Sequence, residues 1–324
     1  MTRLVLILLA TVFAIVPMYA QAAVLPPFEL RVPVLMYHRI DCEVDPGRAS
    51  SLFLCPARLD AQMALLKARG WHSITSEELA VALASRTCLP PKTFVIHVDS
   101  GWLDGYTNGA PIWEKYGFRA TFYMVVGYPA GAIREGYKPH FSFAQARDLL
   151  ARGHTIGNHT WSHASLGGTP SQAKLDLEVT HAQDVLEAEG LVRRGAPRTF
   201  VYPGGAIGAG VVEYLTAHGY AASFSTKLTT MPGLHSTDRP QLSPRLRVVR
   251  TTTPKTLLSA MRPFDTPCTT PRPTPTPMPS PTPTPTVTST PSPTATPEPT
   301  ATLAPTPEST PTPSASVAPS SPLP

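Results

Sequence analysis

Residues 271–324 hold 19 prolines and 22 serines or threonines in 54 positions, and Arg272, Glu298 and Glu308 are their only charges. No aromatic residue occurs in this stretch. Such a segment cannot bury enough apolar surface to offset the entropy of ordering it. A globular fold over all 324 residues is therefore excluded. Residues 267–324 are expected to form a disordered Pro/Thr/Ser-rich tail. As extended polyproline II its 54-residue stretch would reach about 170 Å at ~3.1 Å per residue. Its threonines suit O-glycosylation, and the whole reads as a stalk.

The other end is also set apart. Met1-Thr2-Arg3 gives a positive start, Leu4–Tyr19 is nearly all apolar, and Ala20-Gln21-Ala22 offers small residues at a cleavage site. This predicts a signal peptide over 1–22. About 16 apolar residues is short for a membrane span. The mature chain is expected to be secreted or cell-wall associated, without a stable span, and monomeric. Residues 23–266 remain as the foldable part, a size that suits one large α/β domain.

Export makes Cys42, Cys55, Cys88 and Cys268 candidates for two disulfides, with three possible pairings. Cys42 with Cys55 would close a short loop. The net charge of +5 is mild and spread along the chain. No basic stripe marks a nucleic-acid binder.

Within 23–266 short apolar runs alternate with helical segments. Strands are expected at Val32–Tyr37, Phe94–Val98, Ala120–Val126, Thr155–Asn158, Thr199–Tyr202, Ala221–Ser225 and Leu246–Val249. Helices are expected at Pro56–Arg69, Ser76–Ser85, Pro111–Tyr116, from the Ser142–Gln145 capping box to Arg152, and at Ser171–Glu189. This order predicts a distorted (β/α) barrel of about seven parallel strands. Chemistry in such barrels sits where strands end.

Several strand ends are unusually polar. His38 closes the first run, and His97-Val98-Asp99-Ser100-Gly101 closes the second. His159-Thr160-Trp161-Ser162-His163 follows Thr155–Asn158, and Tyr202-Pro203-Gly204-Gly205 follows the next. Two histidines four apart on one helical turn can grip a metal ion; two surface loop histidines are the plainer reading. Asp99 at the end of a buried run is costly unless paired or used; a capping aspartate is its plainer reading. Asp104 is expected to lie exposed on the following turn. Trp102, Tyr106, Trp161 and Tyr202 flank these segments, and Trp161 is the preferred candidate for a sugar-stacking groove.

Taken together, these segments resemble the polysaccharide deacetylase family (carbohydrate esterase family four, the NodB homology domain). The closest likeness is to its exported poly-N-acetylglucosamine deacetylase branch. The resemblance rests on Val32–Ile40, Leu89–Gly101, Pro111–Tyr123 and Gly153–His163 in family order, and spans about Arg31 to Met261. It implies metal-dependent hydrolysis of N-acetyl groups on a cell-wall or extracellular N-acetylhexosamine polysaccharide. It implies a divalent metal, zinc foremost, on His159 and His163, with Asp99 as general base and His38 as general acid. It implies an oxyanion contact from the Gly204 backbone N–H.

Two positions depart from the pattern. Ser100 stands where the family has the aspartate that is the third metal ligand, and a hydroxyl is a much poorer ligand. Val201 stands where many members have arginine. His97, where threonine is usual, lies two residues from Asp99 and so on the same face of the strand. It is a candidate substitute ligand or partner of the base, with a satisfied interior histidine as the plainer reading. The alternative to a deacetylase is a catalytically degenerate fold that binds glycan without hydrolysing it.

Overall fold

A computed structural model describes residues 27–43, 50–134, 139–192, 195–226 and 233–265. The signal peptide expected over 1–22, the tail expected over 267–324 and Cys268 lie outside the described residues.

The strands are β1 (Glu29–Arg31), β2 (Val34–Tyr37), β3 (His72–Ile74), β4 (Thr93–Ser100), β5 (Thr121–Met124) and β6 (Thr155–Asn158). They continue as β7 (Arg198–Val201), β8 (Tyr220–Ser225), β9 (Leu234–Ser236), β10 (Ser243–Pro244) and β11 (Leu246–Arg247). One nine-stranded sheet runs β10-β8-β7-β6-β5-β4-β2-β11, with β3 also paired to β4. Every pairing in it is parallel. β1 and β9 form a separate antiparallel pair. The expected parallel barrel is present, nearly closed. Its closure is unusual in its economy. β10 and β11 are separated by Arg245 alone, yet β10 pairs with β8 and β11 with β2, at opposite ends of the strand order.

The helices are α1 (Pro56–Ala68), α2 (Ser76–Ala84), α3 (Ala110–Lys115), α4 (Phe143–Ala151), α5 (Gln172–Leu175), α6 (Ala182–Ala188), α7 (Val211–Ala217) and α8 (Pro254–Met261). α5 and α6 are joined through a π-helical segment, Asp176–His181. The capping box expected at Ser142 and Gln145 forms at the start of α4. A second one, Thr75 with Glu78, starts α2. This frees Ser76, at the first helical position, to turn its hydroxyl into the barrel.

β4 shows how the sequence divides its two faces. Phe94, Ile96 and Val98 join the large core that includes Leu59 and Met63 of α1 and Trp113 of α3. Val95 joins a second cluster with Tyr123, Val201 and Phe224. His97 and Asp99 follow Val95 at intervals of two and therefore share its face. All eight residues of β4 are buried. A buried polar pair on such a strand must find partners within the barrel.

Packing there leaves little tolerance. A Cβ on Gly157 would stand 2.3 Å from the Tyr123 ring. The Tyr123 hydroxyl is fixed by hydrogen bonds with the Ser76 and Thr199 hydroxyls, each at 3.0 Å. Gly157→Ala is expected to cost about 2–3 kcal/mol through overpacking, measured by urea unfolding; an unchanged midpoint would show that the ring moves freely.

Cys42 and Cys55 form a disulfide. Cys88 is also disulfide-bonded. Asp104 is not exposed as expected. It is buried, bonded to Arg39 Nε at 2.5 Å and to the Ile40 backbone N–H at 2.8 Å. Arg39 is itself buried beneath Trp102, 4.4 Å from that ring, so the carboxylate is needed inside.

Candidate active site

The strand ends converge on a cavity of about 310 Å³. Its wall includes His38, Asp99, Ser100, His159, His163 and Gly204. These residues come from the segments after β2, β6 and β7 and from the end of β4 itself. Trp161 is not on this wall. It is half-buried against the core, with its ring 4.5 Å from His181. The stacking face on the cavity is Trp102, His140 and Tyr128, with centroids 4.1 and 3.7 Å apart. His140 carried no motif and was not foreseen.

His159 and His163 meet as their spacing suggested, with ring centroids 4.8 Å apart. The route is not a helical turn. The segment is a loop with positive φ at Thr160 (72°) and His163 (64°). Such backbone is costly for non-glycine residues and persists where surroundings fix it. Asn158 Oδ1 accepts the Thr160 N–H at 2.8 Å, and Thr160 Oγ1 accepts the His163 N–H at 2.9 Å. The Glu178 carboxylate accepts both the N–H and the hydroxyl of Ser162, at 2.9 and 2.5 Å. Glu178 lies in the π-helical segment, and its backbone carbonyl accepts the Trp161 N–H at 3.0 Å. Five hydrogen bonds thus hold two imidazoles in one place.

His159 Nδ1 lies 2.8 Å from the Val201 carbonyl. A carbonyl only accepts, so Nδ1 carries the proton and Nε2 keeps its lone pair. Burial, with help from His163, holds this imidazole down at about 3. Burial likewise holds His38 at about 4, where the pull of Asp99 is outweighed. His38 Nδ1 is buried with no hydrogen-bond partner among the described residues.

Asp99 is paired with a residue that no motif announced. Arg245 Nη1 donates to Asp99 Oδ1 at 2.8 Å, and both side chains are buried. Burial alone would raise the carboxyl. The Arg245 guanidinium, with His38 and His159, instead holds it well below the usual carboxylate range. Asp99 is therefore held in its ionised form near neutral pH. Arg245 also reaches His97 Nδ1 at 3.5 Å, and His97 Nε2 lies 2.7 Å from Ser76 Oγ. Arginine only donates, so Nδ1 accepts and Nε2–H donates to Ser76. Both nitrogens are in use, and His97 is not on the cavity wall. It joins the base's surroundings through Arg245 and offers no lone pair to a metal.

The metal implied by the resemblance can be tested against these donors. His159 Nε2 and its neighbour His163 suit a divalent ion. A third protein donor is missing: among the described residues no group of three His, Cys, Asp or Glu could hold a metal. Catalytic zinc sites use three protein ligands. Ser100 lies on the cavity wall with φ 76°, at the position where the resemblance implies a metal-ligating carboxylate.

Neutral buried histidines make the fold acid-sensitive. His38 and His235 are held at about 4 by burial, against an ordinary 6.5. Depressed imidazoles bind fewer protons folded than unfolded, so stability falls as pH drops below about 6.5 and keeps falling toward 4. Chemical denaturation at pH 7.5 and at pH 5 should differ by at least about 2 kcal/mol. Equal stability at the two pH values would contradict this.

Residues 86–223 match a family model described as polysaccharide deacetylase. YxkH of Bacillus subtilis (strain 168), itself a candidate polysaccharide deacetylase, is 28% identical over 148 residues. That match covers 45% of this chain and 49% of the relative, so the chain spans about half the length of the curated relative it matches. Among solved structures, the Streptococcus pyogenes deacetylase PplD, in complex with acetate, superposes with a TM-score of 0.63 at 22% identity, over 72% of this chain and 98% of that one. BC0361, a polysaccharide deacetylase from Bacillus cereus, gives 0.59 at 24% identity, over 72% and 70%. IcaB from Ammonifex degensii gives 0.54 at 24%, over 71% and 95%. At these identities the structures attest the fold, while the ordered motifs and the matched model place the sequence. Residues 86–223 of this chain are thus similar to the polysaccharide deacetylase family.

Proposed function

We propose that the protein is an exported polysaccharide N-deacetylase acting on an N-acetylhexosamine glycan outside the cell. The observation that carries this is convergence. His38, Asp99, His159, His163 and Gly204, far apart in the chain, line one cavity. Asp99, kept ionised by Arg245, takes a proton from the water that attacks the acetamide carbon. The Gly204 N–H, on a backbone with φ 58°, meets the developing oxyanion. Negative charge growing there raises the proton affinity of His38, which takes up a proton from solvent and passes it to the departing amine, while Asp99 releases its own proton to solvent as acetate leaves. His159 and His163 would hold a divalent metal, zinc foremost, which when bound supplies Lewis-acid polarisation of the acetamide carbonyl.

The export signal and the Pro/Thr/Ser-rich tail support an extracytoplasmic place, with the tail as a stalk. Among the described residues no helix is long and apolar enough to cross a membrane. One observation favours a second reading, glycan binding without hydrolysis: Ser100 leaves the donor set at two imidazoles. Acetate release from N-acetylglucosamine oligomers by the wild-type protein, with zinc supplied and then chelated, tests the choice. Zinc-dependent acetate release is expected. Oligomer binding with no acetate released would favour the second reading.

A further inference from the structure

Resting on the reading of this cavity as a seat for an N-acetylated sugar, we infer that the sugar it takes carries a carboxylate, recognised by Arg247. The charges on the cavity wall are unequal. Asp99 is its only carboxylate among the described residues, and Arg245 already neutralises it across 2.8 Å. Arg247 lines the same wall, and its guanidinium makes no hydrogen bond or ion pair among the described residues. Its positive charge is left without a counter-charge among the described residues.

Arg247 is not a loosely placed surface arginine. It lies on β11 in parallel register with Met36 of β2, two residues before His38. The next residue, Val248, donates its N–H to the Met36 carbonyl at 3.0 Å. The strand thus fixes where the guanidinium leaves the backbone. It stands close enough to His38 to disfavour that ring's protonation. A cleft with one unbalanced charge and low-dielectric walls concentrates ligands of the opposite sign. A guanidinium fork matches a carboxylate in two parallel hydrogen bonds, which a neutral hydroxyl cannot reproduce.

The size of the cavity locates the carboxylate. About 310 Å³ is near the lower end of small-ligand pockets, which run from roughly 300 to 1,000 Å³. That is room for one sugar with its substituents, lying against the Trp102, His140 and Tyr128 stack. The acid therefore sits on the N-acetylated sugar itself, as an ether-linked carboxylate, or on a directly linked uronic acid.

Calorimetric titration of the intact protein at low salt tests this with three oligomers of equal length. One is neutral N-acetylglucosamine. One carries a lactyl ether on its N-acetylated sugar. One alternates N-acetylglucosamine with a uronic acid. One of the acidic oligomers is expected to bind about fivefold tighter than the neutral one, as befits a partly exposed ion pair. The preference should fade at high salt, vanish in Arg247→Ala and survive in part in Arg247→Lys. Which acidic oligomer is preferred identifies the position of the acid. Equal affinity for all three, or a preference that survives Arg247→Ala, overturns the inference and leaves the N-acetylglycan reading standing. Binding of none of them overturns both. Arg247 is exposed, so its replacement leaves the fold intact, which a circular dichroism melt checks.

Discussion

Replacing Ser100 with aspartate is expected to raise affinity for a divalent metal by a factor on the order of 10² or more, and acetate release with it. The position is ready for the change. Ser100 ends β4, lines the cavity with both His159 and His163, and is buried. Its φ of 76° lies in the left-handed region, which aspartate tolerates better than most residues. The new carboxylate would find an imidazole pair already held in place by Asn158, Thr160 and Glu178. It would turn two neutral donors into the three-ligand set of a catalytic zinc site. Zinc titration of wild-type, Ser100→Asp and His159→Ala proteins measures the first effect, and an acetate assay the second. Acetate release by the variant alone would mark the natural protein as a binder. Equal release by both would show that water or substrate fills the missing position. Unchanged zinc affinity across all three proteins would refute the metal seat.

Arg245→Met is expected to be the most damaging single change to stability. It leaves the Asp99 carboxylate buried with no cation, and breaking such a pair costs about 3–5 kcal/mol. In a domain of this size that lowers the melting temperature by roughly 10 °C. The pH dependence identifies the cause. In the natural protein the Asp99 carboxyl is depressed, so its contribution to stability is complete above the unfolded value near 3.8 and is lost only as pH falls through the folded value. In the variant, burial raises the carboxyl instead, and the proton it takes up on acidification relieves the unpaired charge. The gap between the two proteins should therefore be widest near neutral pH and narrow toward pH 4. Adding Asp99→Asn should restore much of the lost stability, because it removes the stranded charge. A constant gap, or no recovery in the double variant, would mean that Arg245 acts by packing alone.

Arg245 also shows where sequence reading runs out. The expected strand at its end of the chain, Leu246–Val249, gave no sign that the preceding arginine mattered. Its partner lies 146 residues away. The cation that meets Asp99 enters at the junction of β10 and β11. The His159 and His163 pairing was visible in the spacing, but its route was not. A helical turn was the simplest way to join residues four apart, and the chain instead uses a loop pinned by Glu178 from a distant helix. Trp161 fell inside the motif and outside the cavity, and His140 the reverse. Which way a loop side chain turns depends on neighbours the sequence does not place beside it.

By itself, the sequence set the expectation that the foldable part stops before the Pro/Thr/Ser-rich segment, and it determined that strands and helices alternate and where the polar strand ends fall. These follow from local energies: apolar periods of two and 3.6, capping boxes, and the entropy that a proline-rich stretch cannot offset. Tertiary structure alone decided which polar ends share a cavity and which charges cancel there. Closing the barrel through Ser243–Arg247 joins the two ends of the sheet, and in doing so sets Arg245 against Asp99 and Arg247 beside His38. Pairings of that range are fixed by strand register and closure, which no local pattern encodes.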